Sequence, residues 1–323
     1  MQPVLGIVLV HYNTVGLLRE CLSSLRRCTV PHRIVVVDNA STDRGVEQVP
    51  REFPEAEFLF NAENRGFSRA TNQGLRALAL TPAPLPPSGE PGVARRGVGV
   101  RAALLLNPDT VLQEGALEAL VAFLEAHPRV AAAGPRLLNP DGSLQENAFA
   151  FPTLLQTIFD FFPLHGRLYR SRLNGRYPET YGQQPFPMDH PLGACLLLRW
   201  EALDQVGLLD EGYFMYVEEV DLCYRLKQAG WEVWHVPAAR VVHYSGQSTR
   251  QLAERMFVEL HRSRYRFFHH YYSPAFCWVH RRIVRLGLWR RARQDRRAQR
   301  EGRITAEELA GRLAAYREIL AMG

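Results

Sequence analysis

The stretch LLLNPDT, residues 104–110, runs from three leucines directly into Asn107, Pro108 and Asp109. A short apolar run that stops at polar residues is typical of a strand buried on both faces of a parallel sheet. Pro108 favours an extended backbone at Asn107, so the strand is predicted to continue to its last residue. Two interpretations of Asp109 follow: a turn after a buried strand, or a carboxylate at the mouth of a site that holds a cation.

The segments before and after this stretch repeat the same pattern. Apolar runs in residues 4–13, 32–43 and 57–67 each end in polar residues, as strands of a parallel sheet do. Segments with helical spacing of apolar residues lie between or after them, at 15–25, 68–80 and 114–128. This alternation predicts an α/β fold, Rossmann-like, with a mostly parallel central sheet and helices on both faces.

The alternation fades beyond about residue 145. A buried strand is predicted at 194–198, a helix at 215–230 that Gly230 closes, and two short strands within 231–246. Residues 81–97 contain five prolines and three glycines and are predicted to form a flexible surface insertion. We therefore expect one α/β domain over residues 1–248 and a basic, aromatic helical extension over residues 249–323.

The positive charge of the chain is concentrated in that extension. The net charge is +6 over 323 residues, yet residues 281–303 alone hold ten arginines against two acids. This segment has three interpretations: a solvated helix surface, attachment to an anionic membrane surface, or nucleic-acid binding. Nucleic acid is disfavoured because no recognised binding module is present.

Cysteine usage and hydropathy predict where the protein works. The five cysteines are an odd number without metal-type spacing, as in a reduced, cytoplasmic protein. No signal-peptide pattern and no apolar run of membrane-spanning length occurs. We expect a cytoplasmic protein that is either soluble or peripheral on the inner face of the plasma membrane.

Polar side chains follow the first four predicted strands. Because the carboxyl ends of parallel strands meet along one edge, these side chains are expected to share a crevice. No GxGxxG motif or P-loop is present, which argues against a dinucleotide or triphosphate cradle. The residues concerned are His11, Tyr12 and Asn13; Asp38 and Asn39; Asn64, Arg65 and Gly66; Asn107 and Asp109.

Three of these positions suggest particular contacts. Asp38 could accept a hydrogen bond from a base or a ribose hydroxyl, or could simply open an Asx turn. Gly66 permits close backbone approach before a helix whose N-terminus would suit a phosphate. A carboxylate such as Asp109 beside a diphosphate would need a divalent cation between them, and Mg²⁺ or Mn²⁺ fits. His243, after another predicted strand, is a candidate second ligand or a structural histidine.

The helix at 215–230 carries three acids near its start. Asp221 and Arg225 can pair at i,i+4, and Glu218 shares their face. Glu219 lies above the apolar stripe that should point inward, where desolvation would raise its pKa and favour a general-base role. The alternative is that these acids only complement the helix dipole.

These motifs together resemble glycosyltransferase family 2, inverting enzymes of the GT-A fold, and within it a rhamnosyltransferase-like branch of polysaccharide assembly. The resemblance rests on VLVHYNT, VVVDNASTD, NRGFSRATNQGL, LLLNPDT and the long block at 193–246, and covers about residues 4–246. It implies a transferase that moves a sugar, with rhamnose the first choice. The donor would be a nucleoside-diphosphate sugar, dTDP- or UDP-linked, and the acceptor a hydroxyl of a glycan or lipid-linked saccharide.

The resemblance also assigns residues. It implies donor contacts from a set that spans four strand ends and the next helix: Val10, Tyr12, Asn13, Asp38, Asn39, Asn64, Gly66, Asn72, Asn107 and Asp109. Asn107 replaces the first acid of the family's DXD motif, so Asp109 with His243 would hold the metal. Glu219 matches the catalytic base, where many relatives have Asp, with Glu218 and Asp221 beside it. Asp189 and His190 are candidate acceptor contacts.

Two rivals come from other functional classes. A non-catalytic nucleotide-sugar-binding protein of the same fold would bind nucleotide with metal but transfer nothing. A sugar nucleotidylyltransferase would normally need a Gly-rich, basic loop after the first strand, and VHYNTVGLL is not such a loop.

Overall fold

The computed structural model describes residues 5–80, 100–162, 166–169, 171–177, 182–245 and 253–322. The proline-rich insertion predicted at 81–97 and the predicted domain boundary at 248/249 lie outside the described residues.

The first half of the fold is the parallel sheet that the apolar runs predict. Its strands stand in the order β3-β2-β1-β4, and each pairs in parallel with its neighbour. Their bounds are β1 Leu5–His11, β2 His32–Asp38, β3 Ala56–Phe60 and β4 Ala102–Leu106. This order turns the carboxyl ends of all four strands to one edge, where the polar residues collect.

The second half of the sheet mixes directions. Strand β11, Cys195–Arg199, lies antiparallel between β4 and β6, and β6 then pairs in parallel with β12. The short strand β5 pairs antiparallel with the end of β12. The other bounds are β5 Thr110–Leu112, β6 Val130–Leu138, β7 Leu144–Gln145, β8 Ala148–Phe149, β9 Phe186–Pro187, β10 His190–Pro191 and β12 Glu232–His243.

The prediction of two short strands within 231–246 was wrong, because β12 is one strand. Its pairing with β6 shifts between Val236 and Arg240, where Pro237 and two alanines bulge out of the ladder. Pro237 cannot donate a ladder hydrogen bond, so the pattern breaks locally although the strand continues. The continuation carries His243 to the cavity edge of the sheet.

Helices cover both faces of the sheet, as predicted. Side chains of α1 and α4 pack in one buried apolar cluster, and those of α3, α7 and α8 pack in another on the opposite face. The bounds are α1 Val15–Leu25, α2 Val49–Glu52, α3 Phe67–Leu80, α4 Ala116–Ala126, α5 Leu154–Phe161, α6 Gly166–Tyr169, α7 Trp200–Val206 and α8 Glu218–Gln228.

Three helices form the C-terminal extension: α9 Ala253–Tyr271, α10 Pro274–Arg300 and α11 Ala306–Met322. They enclose an apolar cluster of their own, into which α5 inserts Phe161. Tyr271 joins α9 to α8 by donating a 2.8 Å hydrogen bond to Asp221. Among the described residues, no helix combines the length and apolar character needed to cross a membrane.

Candidate active site

A cavity of about 380 Å³ opens at the carboxyl ends of the strands, within the size range of ligand pockets. Asp109, after β4, and Glu219, in the first turn of α8, both line it. The two acids to which the resemblance gives metal binding and catalysis therefore line the same cavity. The predicted site residues found in the cavity wall are Val10, Tyr12, Asn39, Asn64, Asn107, Asp109, Glu218, Glu219 and His243.

Asp109 and His243 face each other at one side of this cavity. His243 Nε2 lies 3.4 Å from Asp109 Oδ1, and both side chains are largely buried. His243 Nδ1 lies 2.6 Å from the side-chain oxygen of Gln145. An amide oxygen can only accept, so Nδ1 is the donor of this hydrogen bond, and a neutral imidazole then presents its Nε2 lone pair on the side of Asp109.

This pair fits a hard divalent cation. Neighbouring ligands of an octahedral ion with bonds of about 2.1 Å stand about 3 Å apart, close to the observed separation. The Gln145 contact is the kind of outer hydrogen bond that orients a ligating histidine. Within the described ranges, no group of three or more His, Cys, Asp or Glu side chains is arranged to hold a metal. Asp109 and His243 are thus the two side chains of this cavity wall whose chemistry fits such an ion.

The turn before α8 aims two glutamates at the cavity. Tyr216 and Val217 both adopt the left-handed conformation, with φ of 69° and 70°. A β-branched residue such as Val217 is strained there, and such strain is concentrated at functional sites. The turn starts α8 at Glu218, so that the first two residues of the helix reach the cavity wall.

Burial changes the acidity of both glutamates. It raises the pKa of Glu219 to about 7, against the opposing effect of nearby backbone N–H groups, including that of Gly193. Burial and then the charge of Glu219 raise the pKa of Glu218 well above its ordinary value. Among the described residues, Oε2 of Glu218 has no hydrogen-bond partner. At neutral pH the arrangement therefore favours a neutral Glu218 beside a Glu219 able to accept a proton.

Gly66 shapes the part of the cavity wall that Phe214 forms. Its φ is +81°, and a Cβ at this position would lie 2.6 Å from the backbone oxygen of Phe214. The next residue, Phe67, donates a 2.6 Å backbone hydrogen bond to the same oxygen. Asn39 supports this wall, since its Nδ2 donates to Asn64 Oδ1 and to the backbone oxygen of Gly66. Gly66 acts by letting Phe214, which lines the cavity, approach the backbone.

Two residues predicted to contact the donor are occupied elsewhere. Asp38 accepts hydrogen bonds from His11 Nδ1 at 2.8 Å and from Ser41 N at 3.1 Å. Burial opposes its ionisation, but these bonds outweigh burial and hold the pKa of Asp38 below its ordinary value. Asn13 uses its side-chain oxygen to accept from the backbone of Thr42 and Asp43. Neither is part of the cavity wall, so both organise the loops behind it.

Asn72 and Asp221 also lie away from the cavity wall. Asn72 exchanges two hydrogen bonds with the backbone of Leu209, at 2.8 and 3.1 Å. Asp221 accepts from Tyr271 and from Arg225, both at 2.8 Å. Both side chains therefore hold helices in place in this structure, and a donor contact from Asn72 and a catalytic role for Asp221 stay predictions.

The candidate acceptor contacts Asp189 and His190 are likewise structural. Asp189 forms an ion pair with Lys227 and accepts from the backbone of Phe151. His190 stacks on two phenylalanines, and burial lowers its pKa to about 4. The same loop nevertheless reaches the cavity through its later residues, Leu192 to Ala194.

Several cavity residues were not predicted from the sequence. Arg255 and Met256 enter the wall from the start of α9, and the Arg255 guanidinium lies 5.3 Å from the centre of the Phe214 ring. Both follow the last motif block, so no sequence pattern indicated them. The aromatic and sulfur-bearing wall residues Phe214, Met215 and Tyr216 lay inside that block, but their apolar character resembled ordinary core.

Comparison with known proteins identifies the family of the chain. The family model described as "Glycosyltransferase like family 2" matches residues 3–260. The N-acetylglucosaminyl-diphospho-decaprenol L-rhamnosyltransferase of Mycobacterium tuberculosis is 32% identical over 273 residues, 83% of this chain and 84% of its own length. The low-salt glycan biosynthesis hexosyltransferase Agl10 of Haloferax volcanii is 23% identical over 245 residues, 75% of this chain and 68% of its own.

A solved structure shares the fold. The crystal structure of GalNAc-T7 with UDP, GalNAc and Mn²⁺ aligns with a TM-score of 0.52 at 16% identity, over 76% of this chain and 44% of that one. The α/β sheet and its cavity define a glycosyltransferase with the GT-A fold. The chain belongs to glycosyltransferase family 2, and its relatives include rhamnosyltransferases.

Proposed function

We propose that this enzyme transfers a sugar, with rhamnose the first choice, from a nucleoside-diphosphate sugar to a hydroxyl of a glycan or lipid-linked saccharide, with inversion at the anomeric carbon. The observation that carries the proposal is the shared cavity of Asp109 and Glu219. A candidate metal-ligand pair and a carboxylate of raised pKa in the wall of one pocket would supply the two functions that a direct displacement requires.

On the donor side, Asp109 and His243 are the side chains that would hold Mg²⁺ or Mn²⁺ beside the donor diphosphate. The bound cation would act as a Lewis acid that stabilises charge on the departing nucleoside diphosphate. Val10, Tyr12, Asn39, Asn64 and Asn107 line the part of the cavity offered to a dTDP- or UDP-linked donor. Arg255 adds a cationic side chain to the same wall.

On the acceptor side, Glu219 is the general base. Its carboxylate takes the proton of the acceptor hydroxyl, the hydroxyl oxygen bonds to the anomeric carbon, and the bond to the diphosphate breaks. A pKa of about 7 suits this task at neutral pH. Burial and the charge of Glu219 raise the pKa of the neighbouring Glu218, which favours its neutral form while Glu219 is ionised.

The choice of rhamnose and of a lipid-linked acceptor comes from the relatives. The M. tuberculosis protein is named as an L-rhamnosyltransferase acting on N-acetylglucosaminyl-diphospho-decaprenol. We propose a related place for this enzyme in polysaccharide biosynthesis of the cell envelope, in the cytoplasm at the inner face of the plasma membrane. The helices after residue 248 are then an extension whose first turn, through Arg255 and Met256, completes the pocket of the domain over 1–248.

The experiment is a screen of nucleotide sugars with and without Mn²⁺, read by donor hydrolysis and by the shift in melting temperature. Metal-dependent stabilisation and turnover of one donor supports the proposal. Stabilisation by a nucleotide sugar with neither hydrolysis of that donor nor transfer to any acceptor tested would instead favour the non-catalytic binding protein. Release of pyrophosphate from a nucleoside triphosphate and a sugar phosphate would identify a nucleotidylyltransferase.

A further inference from the structure

One face of α10 is exposed to solvent although it carries large aromatic and apolar side chains. Trp278, Leu286 and Trp289 are 58%, 60% and 54% exposed. At 3.6 residues per turn they share a stripe of about 100° with five arginines and with no acid. This stripe, called the Trp/Arg stripe below, consists of Trp278, Arg282, Arg285, Leu286, Trp289, Arg293, Arg296 and Arg300.

The arginines of the Trp/Arg stripe are free to meet an external anion. Within the part of the chain that the structure describes, none of the five forms an ion pair. Arg282 instead lies over the Trp278 ring at 4.9 Å and Arg293 over the Trp289 ring at 3.7 Å. Stacking of this kind keeps the charge and the ring exposed side by side.

The acids of α10 are directed away from the stripe. Asp295 accepts from Arg312 and Tyr316 of α11, at 2.9 and 2.7 Å. Glu301, just after the helix, pairs with Arg297 and Arg303. The local charge of the stripe is therefore positive without internal compensation.

The exposed apolar side chains of the stripe are large and close together. Of the nine large hydrophobic side chains exposed among the described residues, three lie on this one helix face, Trp278, Leu286 and Trp289. Such side chains grouped with arginines on one face mark an interaction surface rather than scattered exposure.

We propose that the Trp/Arg stripe docks the enzyme on an anionic lipid bilayer, with α10 lying parallel to the membrane plane. Trp is the residue that partitions into the headgroup region, and Arg pairs with lipid phosphates. The docking explains how a pocket completed by α9, the helix before α10, could meet a lipid-linked acceptor. Only this last consequence rests on the proposed function; the docking itself does not.

The test is flotation of the full-length protein with phosphatidylcholine vesicles that contain or lack phosphatidylglycerol. Vesicles without donor or acceptor are used, so failure of docking and failure of transfer are distinguishable. We expect binding only with phosphatidylglycerol, weakened by salt. Arg285→Gln with Arg296→Gln should lower the partition coefficient about 25-fold, since each basic residue near an anionic surface contributes about fivefold. Trp278→Ser with Trp289→Ser should also reduce it.

A matched control lies on α11, where Arg317→Gln with Leu320→Ser removes an exposed arginine and an exposed leucine. This variant should bind like the wild type. Equal flotation of the stripe variants and the control, or no flotation of the wild type with anionic vesicles, would overturn the proposal. A wild type that binds duplex DNA but does not float would point to a nucleic-acid partner instead and would also overturn it.

Discussion

Nε2 of His243, the last residue of β12, lies 3.4 Å from Oδ1 of Asp109, which lies in the turn between β4 and β5. The contact exists because β12 extends past its bulge to pair with β5, the strand that follows Asp109 directly. A turn after β4 and the end of a late strand thus meet at one point of the cavity.

The first prediction concerns this pair. Asp109→Asn and His243→Gln should each lower metal-dependent turnover at least about 100-fold, because one of two protein ligands is lost. Each should also abolish the extra thermal stabilisation that Mn²⁺ gives to the nucleoside-diphosphate complex. Gln145→Ala, which removes only the outer hydrogen bond, should weaken metal affinity by about 10- to 100-fold. Unchanged Mn²⁺ dependence in Asp109→Asn would refute the assignment.

The second prediction is a pH profile. Glu219 acts as a base only when ionised, and burial raises its pKa to about 7. The value of kcat/KM should therefore be constant above that pH and fall about tenfold per unit below it. Glu219→Asp should keep some activity and shift the midpoint, because the shorter side chain is placed differently. A profile that is flat from pH 5 to pH 8 would show that another group accepts the proton.

The third prediction distinguishes two effects of a side chain at position 66, a steric clash with Phe214 and backbone strain from the positive φ. Gly66→Ala places a methyl group against Phe214 in addition to straining a positive φ. Gly115→Ala is the matched control, since its φ is also positive, at +76°, but nothing lies within 4 Å of the added methyl. Both should lose about 1 to 2 kcal/mol from strain. Only Gly66→Ala should also raise the donor KM, and equal kinetic effects would contradict the role given to the Phe214 wall.

The fourth prediction distinguishes a structural role of Asp221 from a catalytic one. Asp221→Asn weakens the buried hydrogen bonds to Tyr271 and Arg225 and should lower the free energy of unfolding by about 1 to 3 kcal/mol. The folded fraction should keep wild-type kcat at low temperature. Tyr271→Phe removes one of the same bonds, so the double variant should lose less than the sum of the two. An Asp221→Asn variant with unchanged free energy of unfolding and a large loss of kcat would support a catalytic role for Asp221.

The sequence predicts much of this architecture because each buried strand ends abruptly in polar residues. A leucine run before Asp109 and an apolar helix face below Glu219 each favour an inward position, but only the resemblance to glycosyltransferase family 2 implies that the two acids share one site. The roles of Asp38 and Asn72 could not be predicted, because their partners, His11 and the Leu209 backbone, are set by tertiary packing. Arg255 was missed because it enters from an extension that no motif covers.

The continuous strand β12 illustrates a second limit. A proline and two small residues indicate a break in a period-2 pattern, yet the hydrogen bonds resume on the far side of the bulge. The pairing partner decides whether a strand continues, and a single sequence does not contain that information.

The most direct test of the central claim is Glu219→Gln, assayed for sugar transfer and for donor binding in the same preparation. The account predicts loss of transfer by about 1,000-fold or more, because the general base is gone. Mn²⁺-dependent binding of the nucleotide sugar should remain unchanged, because Asp109 and His243 are intact. Transfer at a near wild-type rate in this variant would contradict the assignment of Glu219 and with it the proposed mechanism.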